Sequence, residues 1–143
     1  MGVTGDFARF ARLQASLAAI ANGSARKALL RTAAPIVSSL VDEGFLREQA
    51  PRGAPWKALK RPRRTGLGIL DDTGRMRLEA TRVIVSDPWL LIYVGREGAA
   101  SHLYGAPNAH IPRRAFLPVG EMPRAWTQRL NTAASSVLAS LLR

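Results

Sequence analysis

Apolar residues spaced three and four apart open the chain and predict a helix. The stripe consists of Phe7, Phe10, Leu13 (or Gln14), Leu17 and Ile20. Asp6 can cap the N-terminus of this helix. Asn22-Gly23 can end it, because glycine readily adopts the left-handed conformation that closes a helix.

A second helical pattern starts at Ser24, which is a potential N-cap. Its apolar face consists of Leu29, Ala33, Ile36, Val37, Leu40, Val41 and Phe45. Pro35 lies inside this pattern. Because proline has no backbone N–H and crowds the preceding turn, we expect it to kink the helix or to split it near Ala34.

Residues 47–68 are basic and proline-rich, and they predict a long exposed loop. Three prolines exclude regular structure here: Pro51, Pro55 and Pro62. One acid, Glu48, accompanies seven basic residues: Arg47, Arg52, Lys57, Lys60, Arg61, Arg63 and Arg64. Trp56 and Leu59 are the apolar residues that we expect to anchor the loop to the body of the protein.

Two β-rich runs, residues 81–86 and 89–94, surround Asp87-Pro88 and predict a β-hairpin. The second run, Trp-Leu-Leu-Ile-Tyr-Val, is apolar at every position. A strand that is apolar on both faces is typically covered on both. We therefore expect this strand to lie between two layers of structure or in a contact between subunits.

The C-terminal third combines an irregular segment with a helix. Glycine and proline recur through residues 95–120 and predict irregular structure, in which residues 115–117 can form a short strand. A final helix is predicted from near Glu121, with Pro123 in its first turn. Its apolar stripe consists of Trp126, Leu130, Ala133, Ala134, Val137 and Leu141.

These elements predict an α+β fold, a small and mostly antiparallel sheet flanked by helices. A length of 143 residues favours a single domain. Its predicted parts are the N-terminal helices over 1–46, the basic loop over 47–68, the hairpin and irregular segment over 69–120, and the C-terminal helix over 121–143.

Charge adds a functional constraint. The chain has 21 lysines and arginines against 10 acidic residues, a net charge of +11, which favours contact with a polyanion or an acidic protein surface. The basic residues of 47–64 therefore have two interpretations, a nucleic-acid-binding module that neutralises phosphates or a loop that docks on an acidic protein. No base-reading element such as a helix-turn-helix accompanies them, which favours protein docking.

Asp71-Asp72-Thr73-Gly74 is one candidate for catalysis, because it contains the Asp-Thr-Gly of aspartic proteases. Two arginines follow at once, Arg75 and Arg77, and they favour permanent ionisation of a carboxylate that must share a proton. A turn capped by Asp72 or Thr73 is the simpler interpretation. This turn is predicted to point three apolar side chains inward: Leu70, Met76 and Leu78.

Other candidate chemistry is sparse. Ser101-His102 has no acid in the following fifteen residues to orient the histidine. The absence of cysteine excludes disulfides and cysteine zinc sites, and two histidines beside the single acid Glu97 do not predict a metal site. No apolar run reaches the roughly 20 residues that cross a bilayer, and no secretory signal is recognisable. We therefore expect no enzyme activity, cofactor, metal or membrane contact.

Five short motifs occur in order between residues 51 and 117. They are Pro51-x-Gly53-x-x-Trp56-x-x-Leu59, Ile69-Leu70-x-x-Thr73-Gly74-x-Met76, Val94-Gly95 after the hairpin, His102-x-x-Gly105, and Ile111-Pro112-x-Arg114-x-Phe116-Leu117. In this order they resemble the virion morphogenesis or tail-completion proteins of tailed bacteriophages, a group that includes tail terminator and neck proteins. The resemblance covers about half of the chain.

The resemblance implies a structural virion protein that assembles in the host cytoplasm and is located in the neck or tail of the particle. Such proteins form rings, typically of six copies, that complete the tail tube and join it to the head connector, with DNA in the central channel. Contacts between rings or with DNA are then expected from Arg52, Lys57, Lys60, Arg61, Arg63 and Arg64. Subunit contacts are expected from Trp89, Tyr93, Arg113, Arg114 and Phe116. The alternative is a nucleic-acid-binding module that uses residues 47–64.

Overall fold

The computed structural model describes residues 7–60, 69–70 and 75–141. The α-helices are α1 (Phe7–Ala21), α2 (Ser24–Arg47), α3 (Arg75–Ala80), α4 (Ala99–Tyr104) and α5 (Arg124–Leu141). The strands are β1 (Arg82–Ser86) and β2 (Trp89–Tyr93), and a 3₁₀ turn spans Pro107–Ala109. Helices with a small antiparallel sheet make an α+β fold, as predicted.

The junction between α1 and α2 depends on Gly23. Its backbone has a φ of 78°, the left-handed conformation that favours glycine. Ser24 is already helical and does not cap; instead its N–H donates to Asn22 Oδ1 at 2.9 Å. The predicted end of α1 at Asn22-Gly23 is therefore confirmed, and the cap predicted for Ser24 is wrong.

Helix α2 runs without a break through Pro35, so the prediction that the helix splits near Ala34 is wrong. A proline inside a helix costs about 3 kcal/mol. The buried face of α2 offsets this cost with its apolar residues Val37, Leu40, Val41 and Phe45. Most of the α2 face predicted from the sequence therefore packs inward, and tertiary packing decides the continuity of the helix.

The predicted hairpin is confirmed, with Arg82 opposite Tyr93 and Ser86 opposite Trp89. A cis Asp87-Pro88 peptide forms its turn. Asp87 accepts a hydrogen bond at 2.5 Å from Nε of Arg26, in the first turn of α2. This bond holds the pKa of the Asp87 carboxyl below its usual range. The ion pair ties the hairpin turn to the start of α2.

Phe45 lies at the centre of the core. Its ring meets the edge of Trp56 and the ring of Phe116, with both centroid distances at 5.4 Å. The buried apolar residues of the core are Val37, Leu40, Val41, Phe45, Trp56, Leu70, Ala99, Leu103, Phe116, Leu117 and Trp126. The core is therefore assembled from α2, α4, α5 and segments that lack regular structure.

Four details after residue 74 differ from the sequence predictions. Helix α4 lies in the segment predicted as irregular, and residues 115–117 form no strand. Helix α5 starts at Arg124, so Pro123 precedes the helix and its carbonyl accepts the first bond, from Thr127 N–H at 3.0 Å. Leu70 is buried as predicted, whereas Leu78 is 73% exposed.

Helix α1 is confirmed as a helix over Phe7–Ala21. Three residues of its apolar stripe, Leu13, Leu17 and Ile20, face solvent and are about half exposed. The side that packs inward carries Ser16, which is buried and whose hydroxyl donates to the carbonyl of Leu141 at the end of α5. In the described part of the chain, none of the helices is long and apolar enough to cross a membrane.

Candidate functional site

The outward face of the hairpin is an exposed apolar surface, called here the outer hairpin face. Side chains alternate between the two faces of a sheet. The register therefore places Ile84, Leu91, Trp89 and Tyr93 on one side, with Arg82 at its edge. Trp89 is 66% exposed and Tyr93 is 59% exposed, while Ile84 and Leu91 are about half exposed. Aromatic residues concentrated on one solvent-facing surface are typical of protein interfaces.

The inner face of the same hairpin packs against the core. Val83, Leu90 and Ile92 are partly buried against the core cluster. Within the part of the chain that the structure describes, strand β2 is therefore covered on one face only, and the prediction that it lies between two layers is wrong there. Its predicted alternative, a contact between subunits, remains a prediction.

Gly95 gives Tyr93 the room that its ring occupies. A Cβ placed on Gly95 lies 2.7 Å from Cε1 of Tyr93, closer than a real Cβ contact allows. The Val94-Gly95 motif thus has a local physical reason, since a side chain at position 95 displaces an aromatic ring of the outer hairpin face.

The first half of the predicted basic loop is folded onto the body. A β-bridge pairs Gln49 with Pro55, and the Trp56 N–H donates to Glu48 O at 2.7 Å. The Trp56 side chain is buried, and its Nε1–H donates to Ala115 O at 2.9 Å. Leu59 is partly buried. Trp56 therefore holds residues 49–56 against the segment before Phe116.

Arg114 lies inside the protein and not on a subunit boundary, which corrects the role predicted for it. The residue is 5% exposed. Its Nε donates to Lys57 O at 2.9 Å, and one terminal nitrogen donates to Ala58 O at 3.4 Å. The guanidinium therefore fastens the start of the Lys57–Lys60 segment to the segment that carries Phe116.

Phe116 is also corrected. It is 1% exposed and packs on Phe45, so in a folded chain it offers no surface to a second copy. Arg113 is exposed, as an interface residue must be, and its Nε donates to Leu103 O at 3.3 Å. Of the predicted subunit contacts, Trp89, Tyr93 and Arg113 thus lie on the surface.

A groove of about 1000 Å³ lies between the C-terminal half of α2, the 49–53 turn and the start of α5, and it is called here the basic groove. It is lined by four arginines: Arg47, Arg52, Arg124 and Arg129. Arg129 pairs with Glu43 at 2.7 Å and lowers the pKa of that carboxyl. Arg52 donates to the backbone oxygen of Glu121 at 3.3 Å.

Only part of the predicted basic contact surface can be located. Arg52 lines the basic groove, and Lys57 and Lys60 are exposed. The other predicted contact residues, Arg61, Arg63 and Arg64, lie outside the described residues. The sequence did not predict that Arg124 and Arg129 join this surface, because Arg124 lies more than 70 positions after Arg52 and only folding brings them together.

The structure describes one of the two candidate catalytic motifs, Ser101-His102. Ser101 and His102 lie on α4 and are partly buried, and the His102 carbonyl accepts the Arg114 N–H at 2.7 Å. The Asp71-Asp72-Thr73-Gly74 motif lies outside the described residues. Among the residues that are described, no group of three or more histidines and acids is placed to hold a metal ion.

The five motifs of the resemblance contribute largely to the core. Trp56, Leu70, Phe116 and Leu117 are buried. Gly105 has a φ of 82°, and a Cβ placed on it lies 3.3 Å from the backbone nitrogen of Arg113. These described motif residues thus contribute packing and close backbone approach. No protein-family model, curated protein or solved structure matches this chain.

Proposed function

We propose that the protein is a structural subunit that associates with copies of itself, as a ring at the neck or head-proximal tail end of a tailed phage or phage-like particle. The observation that carries this proposal is the outer hairpin face, where the mostly exposed Trp89 and Tyr93 flank two half-exposed aliphatic residues. Covering such a surface removes apolar area from water, which favours association and offsets the freedom lost when copies bind.

The resemblance to tail-completion proteins indicates which kind of assembly these copies form. In such a particle the ring completes the tail tube and contacts the head connector, and the basic groove and the basic residues near it meet an acidic partner surface. The net charge of +11 supports this docking, because long-range attraction speeds and orients the encounter with an acidic surface.

The double substitution Trp89→Thr with Tyr93→Thr tests the proposal. Both side chains are exposed and threonine suits a strand, so the fold is expected to remain intact. We expect the wild-type protein to form concentration-dependent closed oligomers in sedimentation velocity and electron micrographs. The double variant is expected to associate at least about 100-fold more weakly, a change of about 2.7 kcal/mol.

Tyr104→Thr is the matched control, because Tyr104 is an aromatic residue of similar exposure, 63%, on α4 and off the hairpin. It is expected to associate as the wild type does. A wild-type protein that stays monomeric up to about 100 μM contradicts the proposal, since a ring held together in the particle requires measurable self-affinity.

The four arginines of the basic groove favour a second candidate function, binding of nucleic acid. That function predicts a gel shift of duplex DNA whose affinity falls steeply between about 50 and 200 mM salt, because bound phosphates release counterions. Substituting Arg47, Arg52 and Arg124 with glutamate is then expected to abolish the shift. Tight DNA binding by a monomer favours this second function over the first.

A further inference from the structure

Helix α1 carries an apolar stripe that the described residues of its own chain leave exposed. Leu13, Leu17 and Ile20 recur at helical spacing and are each about half exposed or more. The helix is attached by its other side, through the buried Ser16 and its bond to the Leu141 carbonyl. An isolated helix of 15 residues is marginally stable in water, so this stripe is a surface that gains from a partner.

The outer hairpin face is the complementary surface on the same chain. A helix is about 10 Å across, and two strands about 4.8 Å apart form a ribbon of similar width. The stripe from Leu13 to Ile20 extends about 10 Å along α1, and the strand from Trp89 to Tyr93 extends about 14 Å. The chain already uses this arrangement once, because α2 packs on the hairpin's inner side.

The area of these two surfaces is of the order that a stable contact needs. From their exposed fractions, the four apolar residues of the outer hairpin face leave roughly 450 Å² and the α1 stripe roughly 300 Å² to be covered. A standard interface buries about 800 Å² on each partner, of which somewhat more than half is apolar. The two surfaces thus supply most of the apolar centre of one such interface.

We propose that the α1 stripe of one copy packs on the outer hairpin face of the next copy. This inference rests on the self-association proposed above and names the surfaces that make it. The proposed ring requires this contact to be head-to-tail, so that each copy covers one neighbour and is covered by another; a reciprocal contact between two copies stops at a dimer. Head-to-tail contacts close into rings when the rotation between copies divides a full turn.

A mixing experiment tests the pairing with two variants that each lose one surface. The hairpin-blocked variant carries Trp89→Thr with Tyr93→Thr, and the helix-blocked variant carries Leu17→Gln with Ile20→Gln, since glutamine is a good helix former. Each alone is expected to be monomeric. An equimolar mixture is expected to give a 1:1 heterodimer and nothing larger in sedimentation velocity, because each copy retains one intact surface.

Other outcomes overturn the pairing. Dimers formed by the helix-blocked variant alone indicate that hairpin faces pair with each other, and a mixture that stays monomeric shows that the two surfaces are not partners. Oligomers of the hairpin-blocked variant alone exclude the outer hairpin face from the contact. A wild-type protein that is monomeric refutes self-association itself. If the wild type associates but the mixture of the two variants stays monomeric, only the pairing of these two surfaces is refuted.

Engineered disulfides provide a second measurement, which remains valid when a substitution lowers the stability of the variant. The chain has no cysteine, so cysteines introduced by Leu17→Cys in one copy and Leu91→Cys in another are the only thiols in the mixture. Under mild oxidation, the heterodimer is expected to cross-link at least tenfold faster than either variant cross-links with itself. Equal or faster cross-linking within the Leu91→Cys variant overturns the head-to-tail contact.

Discussion

Replacing Phe116 with alanine is expected to lower the free energy of unfolding by about 3–5 kcal/mol. The side chain is 1% exposed and packs against the Phe45 ring, so its removal loses apolar burial and leaves a cavity in the core. A domain of this size is stabilised by only about 5–15 kcal/mol, so the loss is a large share of the total. Urea unfolding followed by tryptophan fluorescence measures it.

The comparison requires equal protein concentrations, since self-association contributes to apparent stability. Tyr104→Ala serves as the control; this aromatic ring is 63% exposed, and its loss is expected to change the free energy of unfolding by less than about 0.5 kcal/mol. A Phe116→Ala protein that unfolds like the wild type but no longer associates contradicts the core position and restores the interface role first expected for this residue.

Arg114→Met is expected to cost about 2–3 kcal/mol of folding stability. Methionine fills much of the volume of the buried side chain but cannot donate to the Lys57 and Ala58 carbonyls, and hydrogen bonds from charged groups contribute about 1.5–3 kcal/mol. The segment after Trp56 is expected to loosen first. Limited trypsin digestion therefore detects the change as faster cleavage after Lys57 and Lys60.

Arg113→Met is the matched control, since Arg113 is the adjacent residue of the same type and is exposed, with one long bond to Leu103 O. We expect its unfolding free energy to lie within about 0.5 kcal/mol of the wild type. Equal effects of the two substitutions contradict the structural role of Arg114. An Arg114→Met protein of normal stability that fails to associate supports the subunit contact predicted from the sequence.

Sequence patterns predicted the elements well where the pattern repeats. Helices α2 and α5 and the hairpin follow from three- and four-residue spacing and from two β-rich runs, because these periods reflect local geometry. Helix α4 escaped prediction, since it is only six residues long and lies between glycines at positions 98 and 105. Pro35 was expected to kink or split α2; the helix is not split, and the packing of Val37 and Phe45 outweighs the local cost of the proline.

The sequence placed some residues of the candidate site on the surface correctly and others wrongly, again because burial depends on distant segments. The exposed aromatic residues Trp89 and Tyr93 were identified because a doubly apolar strand is unusual beside solvent. Arg114 and Phe116 were assigned to a boundary, and the structure places both inside the chain. An arginine near a proline-rich turn is typical of an exposed segment. Its burial depends on carbonyls from Lys57 and Ala58, more than 50 positions earlier.

The amino-acid sequence by itself determined the longer helices, the hairpin, the α+β class and the excess of positive charge, because spacing, propensity and composition act over a few neighbouring residues. Only the tertiary structure decided which apolar faces are buried against other segments of the same chain. Burial depends on contacts between distant segments, so apolar patterns that look alike in the sequence differ in burial. The α2 face lies in the core, whereas the α1 stripe and the outer hairpin face are exposed to solvent. The two uncovered faces are what the proposed assembly rests on.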